Sequence, residues 1–164
     1  MPSTRVQPLS PSQTKKSTLF IRARVYASNQ TRPSWRFVPT QSPPKRQAQL
    51  DRGKKNLRYP WVEGLFNDRR LQPYIHDTII TVSRNGSEHK FVVFCQNHRY
   101  LPSNATVGGR WRGNIVVMKI GTGDNGVVNM PLQDSLLIDD VIIHGFVTQV
   151  KQQTPFRFPK NLVF

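Results

Sequence analysis

A single cysteine, Cys95, stands among the 164 residues of this chain, so no internal disulfide is available to it. A lone thiol fits a reducing compartment. No apolar run approaches the roughly 18 residues that a membrane-spanning helix requires. The first residues lack the apolar core of a secretory signal, so an intracellular protein is expected, in the mitochondrion or in the nucleus and cytoplasm. Acidic residues are missing from the first 50 positions altogether. Hydrophobic residues make up only 37% of the chain, which predicts a modest core beside an unstructured appendage.

Positive charge is what the chain has in excess. The net charge is +15, which favours an acidic partner: nucleic acid, an anionic membrane surface or an acidic protein. The excess is uneven. Residues 1–60 carry 13 Lys and Arg against one acid, Asp51, a net +12, and residues 61–164 carry 11 against eight, a net +3. Pro, Ser, Thr and Gln are frequent in the basic part. Such a segment buries too little apolar surface to offset its ordering entropy. Residues 1–58 are therefore expected to be a disordered basic tail, and residues 59–164 a β-rich globular domain.

Within the tail, TKKSTLFIRARVYASNQ at residues 14–30 stands apart. On a helix, Leu19, Phe20, Ala23, Tyr26 and Ala27 share a face. On a strand, Ile21, Ala23 and Val25 alternate with Arg22, Arg24 and Tyr26. The basic, hydroxyl-rich, acid-free composition matches a mitochondrial transit peptide over residues 1–26. Arg24-Val25-Tyr26-Ala27-Ser28 resembles a matrix processing site. The other reading is a solvated nucleic-acid tail, with Lys15, Lys16, Arg22 and Arg24 as phosphate contacts. Lys45, Arg46, Arg52, Lys54, Lys55 and Arg58 form a second basic cluster, suited to phosphate contact or nuclear import.

The body reads as strands. DTIITVSR (77–84) and HKFVVFC (89–95) flank Asn85-Gly86, the strongest short hairpin signal. Residues 114–120 form a third strand, GTGDNG (121–126) a turn and residues 127–130 a fourth strand. Residues 136–150, rich in Ile and Val, predict a final strand pair or one bent strand broken near Gly145. A helical turn or two is expected between Glu63 and Leu71. The fold class is mainly β: a small antiparallel sheet or partly open barrel.

Candidate chemistry is sparse. Arg110-Trp111-Arg112 joins two cations to an indole, a pattern suited to holding phosphate and stacking a base. Strand alternation sends Trp111 to one side and both arginines to the other, which favours a core tryptophan. Cys95 and His98 have half of a zinc spacing, with no second cysteine to complete it. A strand cysteine is ordinarily a small buried hydrophobe rather than a nucleophile. His76-Asp77 and Asp139-Asp140 are adjacent pairs, which point to opposite faces of a strand and do not chelate. No catalytic set, cofactor or metal is expected.

RWRGNIVVM (110–118), followed by Val127-Val128-Asn129-Met130, resembles small proteins of mushroom-forming fungi. Those share a tryptophan–arginine–glycine start, a strand ending in valine–methionine, and a valine–asparagine–methionine echo. The resemblance covers about a quarter of the chain and implies a source, with no activity attached. The function expected is a non-enzymatic interaction module with a basic arm. The alternative is a nucleic-acid-associated, RNA-binding protein. In either case the partner is nucleic acid or an acidic protein surface met through the tail.

Overall fold

The structure is a computed structural model that describes residues 19–41, 59–66, 69–122, 126–152 and 158–164. Its strands, in chain order, are β1 (Leu19–Tyr26), β2 (Ser34–Gln41), β3 (Tyr59–Pro60), β4 (Ile75–Arg84), β5 (Ser87–Gln96), β6 (Ile115–Ile120), β7 (Val127–Val128) and β8 (Asn161–Val163). They form one open sheet in the order β3-β2-β1-β6-β5-β4-β8, with β7 paired to β6 beside β1. Neighbours are antiparallel except β4 and β8. The fold is β-rich, as the composition and turn signals predict.

The central hairpin follows directly from its turn residues. Asn85 and Gly86 both take positive φ, 50° and 75°. This is the geometry that matches the right-handed twist of two flanking strands. The register then runs unbroken from Arg84 opposite Ser87 to Ile75 opposite Gln96.

Two expectations are corrected. The boundary at residue 58 is the first. Residues 19–41 lie inside the sheet, and β1 sits between β2 and β6. Strand alternation operates in LFIRARVY as one of its two readings predicts: Ile21, Ala23 and Val25 are buried on one side and Tyr26 on the other. A chain processed at Tyr26 would lack this strand. The tail positions Lys15, Lys16, Lys45, Arg46, Arg52, Lys54, Lys55 and Arg58 lie outside the described residues.

The second correction concerns residues 136–150, which are helical rather than extended. α1 (Asp134–Asp140) runs into a π-helical segment (Val141–Phe146) and a last α turn, α2 (Val147–Gln149). The β-branched run Val141-Ile142-Ile143 favours a strand locally. The buried positions Asp134, Ile138, Val141, Ile142, Phe146, Val147 and Val150 recur mostly at intervals of three and four. That helical period wins because it gives one face to the sheet. At Gly145 the ring of Phe164 approaches so closely that an added methyl would lie 2.5 Å from its Cε1, which explains a residue without a side chain there.

Each face of the sheet has its own core. The helix covers one, where Ile138, Ile142 and Phe146 meet Ile80, Phe91, Val93, Ile115 and Val117. The other is filled by Ile21, Ala23, Val38, Val92, Val116 and Met118, with Val62 and Phe66 laid across them. The loop between β5 and β6 is held by buried Asn104. Its Nδ2 donates to the carbonyls of Tyr26 at 2.9 Å and Gly113 at 2.7 Å, and its Oδ1 accepts from the Thr106 amide at 3.1 Å. No helix among the described residues is long and apolar enough to cross a membrane.

Candidate functional site

The outer face of the β1–β2 hairpin brings aromatic rings and cations to one side of a strand pair. Alternation directs Phe20, Arg22, Arg24 and Tyr26 away from the Ile21–Ala23–Val25 core. The register sets Phe20 opposite Pro39, Arg22 opposite Phe37, and Arg24 opposite Trp35. Both guanidinium groups lie over the Trp35 ring, Arg24 at 4.9 Å and Arg22 at 5.8 Å from its centroid. Tyr26 is buried beneath the helix and Trp35 is half-buried against the same core, but Phe20 is 54% exposed and Phe37 64%.

Two ion pairs dock the helix and determine which cations remain available. Asp139 receives Arg24 in a two-pronged contact, Nε to Oδ1 at 3.0 Å and Nη2 to Oδ2 at 2.6 Å. It also accepts the Tyr26 hydroxyl at 2.6 Å. The hydrogen bond to Asp139 raises the Arg24 guanidinium above its ordinary value. Burial, and then the Asp139 charge, push the Tyr26 phenol well above its own. Asp134, at the start of α1, is buried against the Lys119 ammonium, which also meets His89 Nδ1 at 3.1 Å. Arg24 is thus a strut between sheet and helix. Arg22 has no acidic partner among the described residues.

The Arg-Trp-Arg triplet is divided by the fold. Trp111 is 1% exposed and packs on Phe146, ring centroids 5.3 Å apart, so it offers no face to a base. As a nucleic-acid contact it is corrected to a core residue. Arg110 and Arg112 are exposed, and Arg112 donates from Nη1 to the Leu101 carbonyl at 3.1 Å. His98 lies between the rings of Tyr74 and Tyr100, in the loop beyond the strand that buries Cys95. No group of three or more His, Cys, Asp or Glu side chains among the described residues is placed to hold a metal. Asp139 is engaged by Arg24 while Asp140 is exposed, and Asp77 faces Lys160 at 3.8 Å.

Cys95 is wholly buried, and burial pushes its thiol far above the usual range. Thiolate is the reactive form. A disulfide reagent is therefore expected to leave the native chain unmodified and to label it once denaturant is added. The native rate should be slower by roughly 10³ or more, the scale of transient unfolding. Rapid labelling of native protein would contradict this burial.

Trp35 and Phe37 are not among the residues that the sequence singles out, and Phe20 enters there only on a helical face. Their signal was the pairing of two alternating segments, LFIRARVY and SWRFVPTQ, across the turn-forming stretch ASNQTRP. Comparison with known proteins brings no matching family model, no matching curated protein and no matching solved structure.

Proposed function

We propose that this protein is a non-enzymatic binding module for nucleic acid, with the outer face of the β1–β2 hairpin as its docking surface. The observation that carries this is where the charge is tethered. β1 begins at Leu19, opposite Thr40 near the end of β2. Residues 1–18, with Arg5, Lys15 and Lys16, therefore join the hairpin at the same end as residues 42–58. The latter hold Lys45, Arg46, Arg52, Lys54, Lys55 and Arg58 against one acid, Asp51. That end also carries Phe20. A polyanion drawn in by these cations arrives beside the aromatic face. Arg22 extends the positive charge onto the sheet.

Titration of the full chain with a labelled oligonucleotide at several salt concentrations tests this. The logarithm of the binding constant is expected to fall linearly with the logarithm of salt, by roughly 0.7 to 0.9 for each phosphate neutralised. Replacing the six cations of residues 42–58 with glutamine should flatten that line. Binding that ignores salt, or a slope that the replacement leaves unchanged, would remove the basis for the reading.

A further inference from the structure

The helix covers the outer face of the β1–β2 hairpin as far as Tyr26 and Arg24, and the part of an antiparallel face left in solvent ordinarily carries polar residues. The β1–β2 hairpin does not. Its inner positions, Ile21, Ala23, Val25 and Val38, are buried, and its outer positions are occupied by rings and guanidinium groups. We propose that this outer face is a stacking platform for single-stranded nucleic acid. Phe20 and Phe37 each carry one base, and Arg22 holds the phosphate between them. The proposal rests on the nucleic-acid reading above and adds the strandedness of the ligand and the residues that recognise it.

The geometry is that of a prepared surface. Phe37 lies directly across from Arg22, and Phe20 lies diagonally from Phe37, a Cα separation of about 7–8 Å in an antiparallel pair. Side chains on a strand stand roughly perpendicular to the sheet, so both rings project from the same plane. The cations beside them are already placed. Trp35 lies under both guanidinium groups, and Asp139 fixes Arg24. At Phe20 and Arg22 the backbone of β1 is paired to β2, and the Arg22 amide donates to Asn129 Oδ1 at 2.8 Å; pairing to β6 begins at Arg24.

A duplex leaves few base faces in solvent, whereas a single strand offers a face at every nucleotide. Aromatic stacking therefore selects single strands, and it tolerates any base because every base has a π-face. Among Phe20, Arg22, Trp35 and Phe37 the one side chain able to read a base edge is Arg22, and with that guanidinium on phosphate little sequence preference is expected. An anionic lipid surface shares the demand for cations and exposed rings. Two rings with Arg22 directly across from one and two residues along from the other suit a repeating base–phosphate ligand better than a continuous apolar phase.

The test uses the full chain with a short fluorescent oligothymidylate, a duplex of the same length, and phosphatidylserine vesicles. The single strand is expected to bind about tenfold or more tighter than the duplex. Phe20→Ala and Phe37→Ala should each weaken single-strand binding by roughly 5- to 150-fold while leaving duplex binding unchanged. Both rings are largely exposed, so an unaltered thermal midpoint is expected and serves as the folding control. Phe37→Tyr keeps a stacking face and should restore the preference. Arg22→Gln should lower the single-strand salt slope by roughly 0.7. Salt-dependent binding without a single-strand preference, or alanine variants that bind the single strand as well as the parent, would overturn the platform and leave the charge-led reading standing. Absence of binding to either nucleic acid would overturn both. Vesicle binding that disappears in the alanine variants, without single-strand binding, would assign the face to lipid instead.

Discussion

A chain that begins at Ala27 is expected not to fold. Its loss is a strand from the interior of the sheet, since β1 pairs with β2 on one side and β6 on the other. Among the described residues β2 is bonded only to β1 and β3, so it and β3 lose their attachment to the rest of the sheet. Both cores are opened at once: Ile21, Ala23 and Val25 leave one, and Tyr26 leaves the other. Burial of a large apolar side chain contributes about 1.5–3 kcal/mol. Ile21, Val25 and Tyr26 are three such side chains, and together they approach the whole stability of an ordinary domain, about 5–15 kcal/mol. Asn104 also loses an acceptor, because the Tyr26 carbonyl is gone. Far-ultraviolet circular dichroism during a thermal ramp checks this. The full chain should melt cooperatively, and residues 27–164 should show no transition. A cooperative transition in the shortened chain would restore residues 1–26 as a removable presequence and would require a different sheet.

How far the fold was legible depended on the distance over which each signal acts. Asn85-Gly86 declared its hairpin because the turn conformation is a property of those two residues. The strand at 115–120 and the short one at 127–128 followed from a local apolar run and a turn cluster. The first hairpin was hidden by averaging. An acid-free, proline-rich composition over 50 residues outweighed an alternation only eight residues long, which was legible as one of two readings. The helix was hidden by propensity: Val-Ile-Ile at 141–143 spoke for a strand, and the longer period of buried positions spoke against it. The aromatic face was the least legible of all. Arg22 and Phe37 become neighbours only through cross-strand register, and no local rule connects residues that far apart in the chain. Trp111 was legible for the opposite reason, since a tryptophan beside an apolar strand has a large area to bury.

Asp139→Ala is expected to destabilise the protein by about 2–4 kcal/mol, although alanine suits a helix better than aspartate does. The carboxylate joins the helix to β1 through the Arg24 guanidinium and the Tyr26 hydroxyl. Removing it leaves a half-buried guanidinium without its partner and a buried phenol without its acceptor. Breaking a fully buried pair costs about 3–5 kcal/mol. The lower range applies here because the side chains of Arg24 and Asp139 keep 13% and 20% of their exposure. Asp140→Ala, one residue along and exposed, should stay within about 0.5 kcal/mol of the parent. Chemical denaturation of the two variants separates a specific strut from a general charge effect. Arg24→Ala combined with Asp139→Ala should cost less than the sum of the single changes, because the second removes a group the first has already orphaned. Alkaline pH supplies an independent check. The folded Tyr26 phenol titrates above its unfolded counterpart, so the folded state holds a proton that the unfolded state has released. Its contribution is complete below about pH 10, the unfolded value, and is lost as pH rises through the folded one. The midpoint of the parent should therefore fall above about pH 10, and Tyr26→Phe should fall less steeply over that window. In Asp139→Ala the slope should lie between the two, because burial alone still holds the phenol neutral while the added repulsion of the carboxylate is gone.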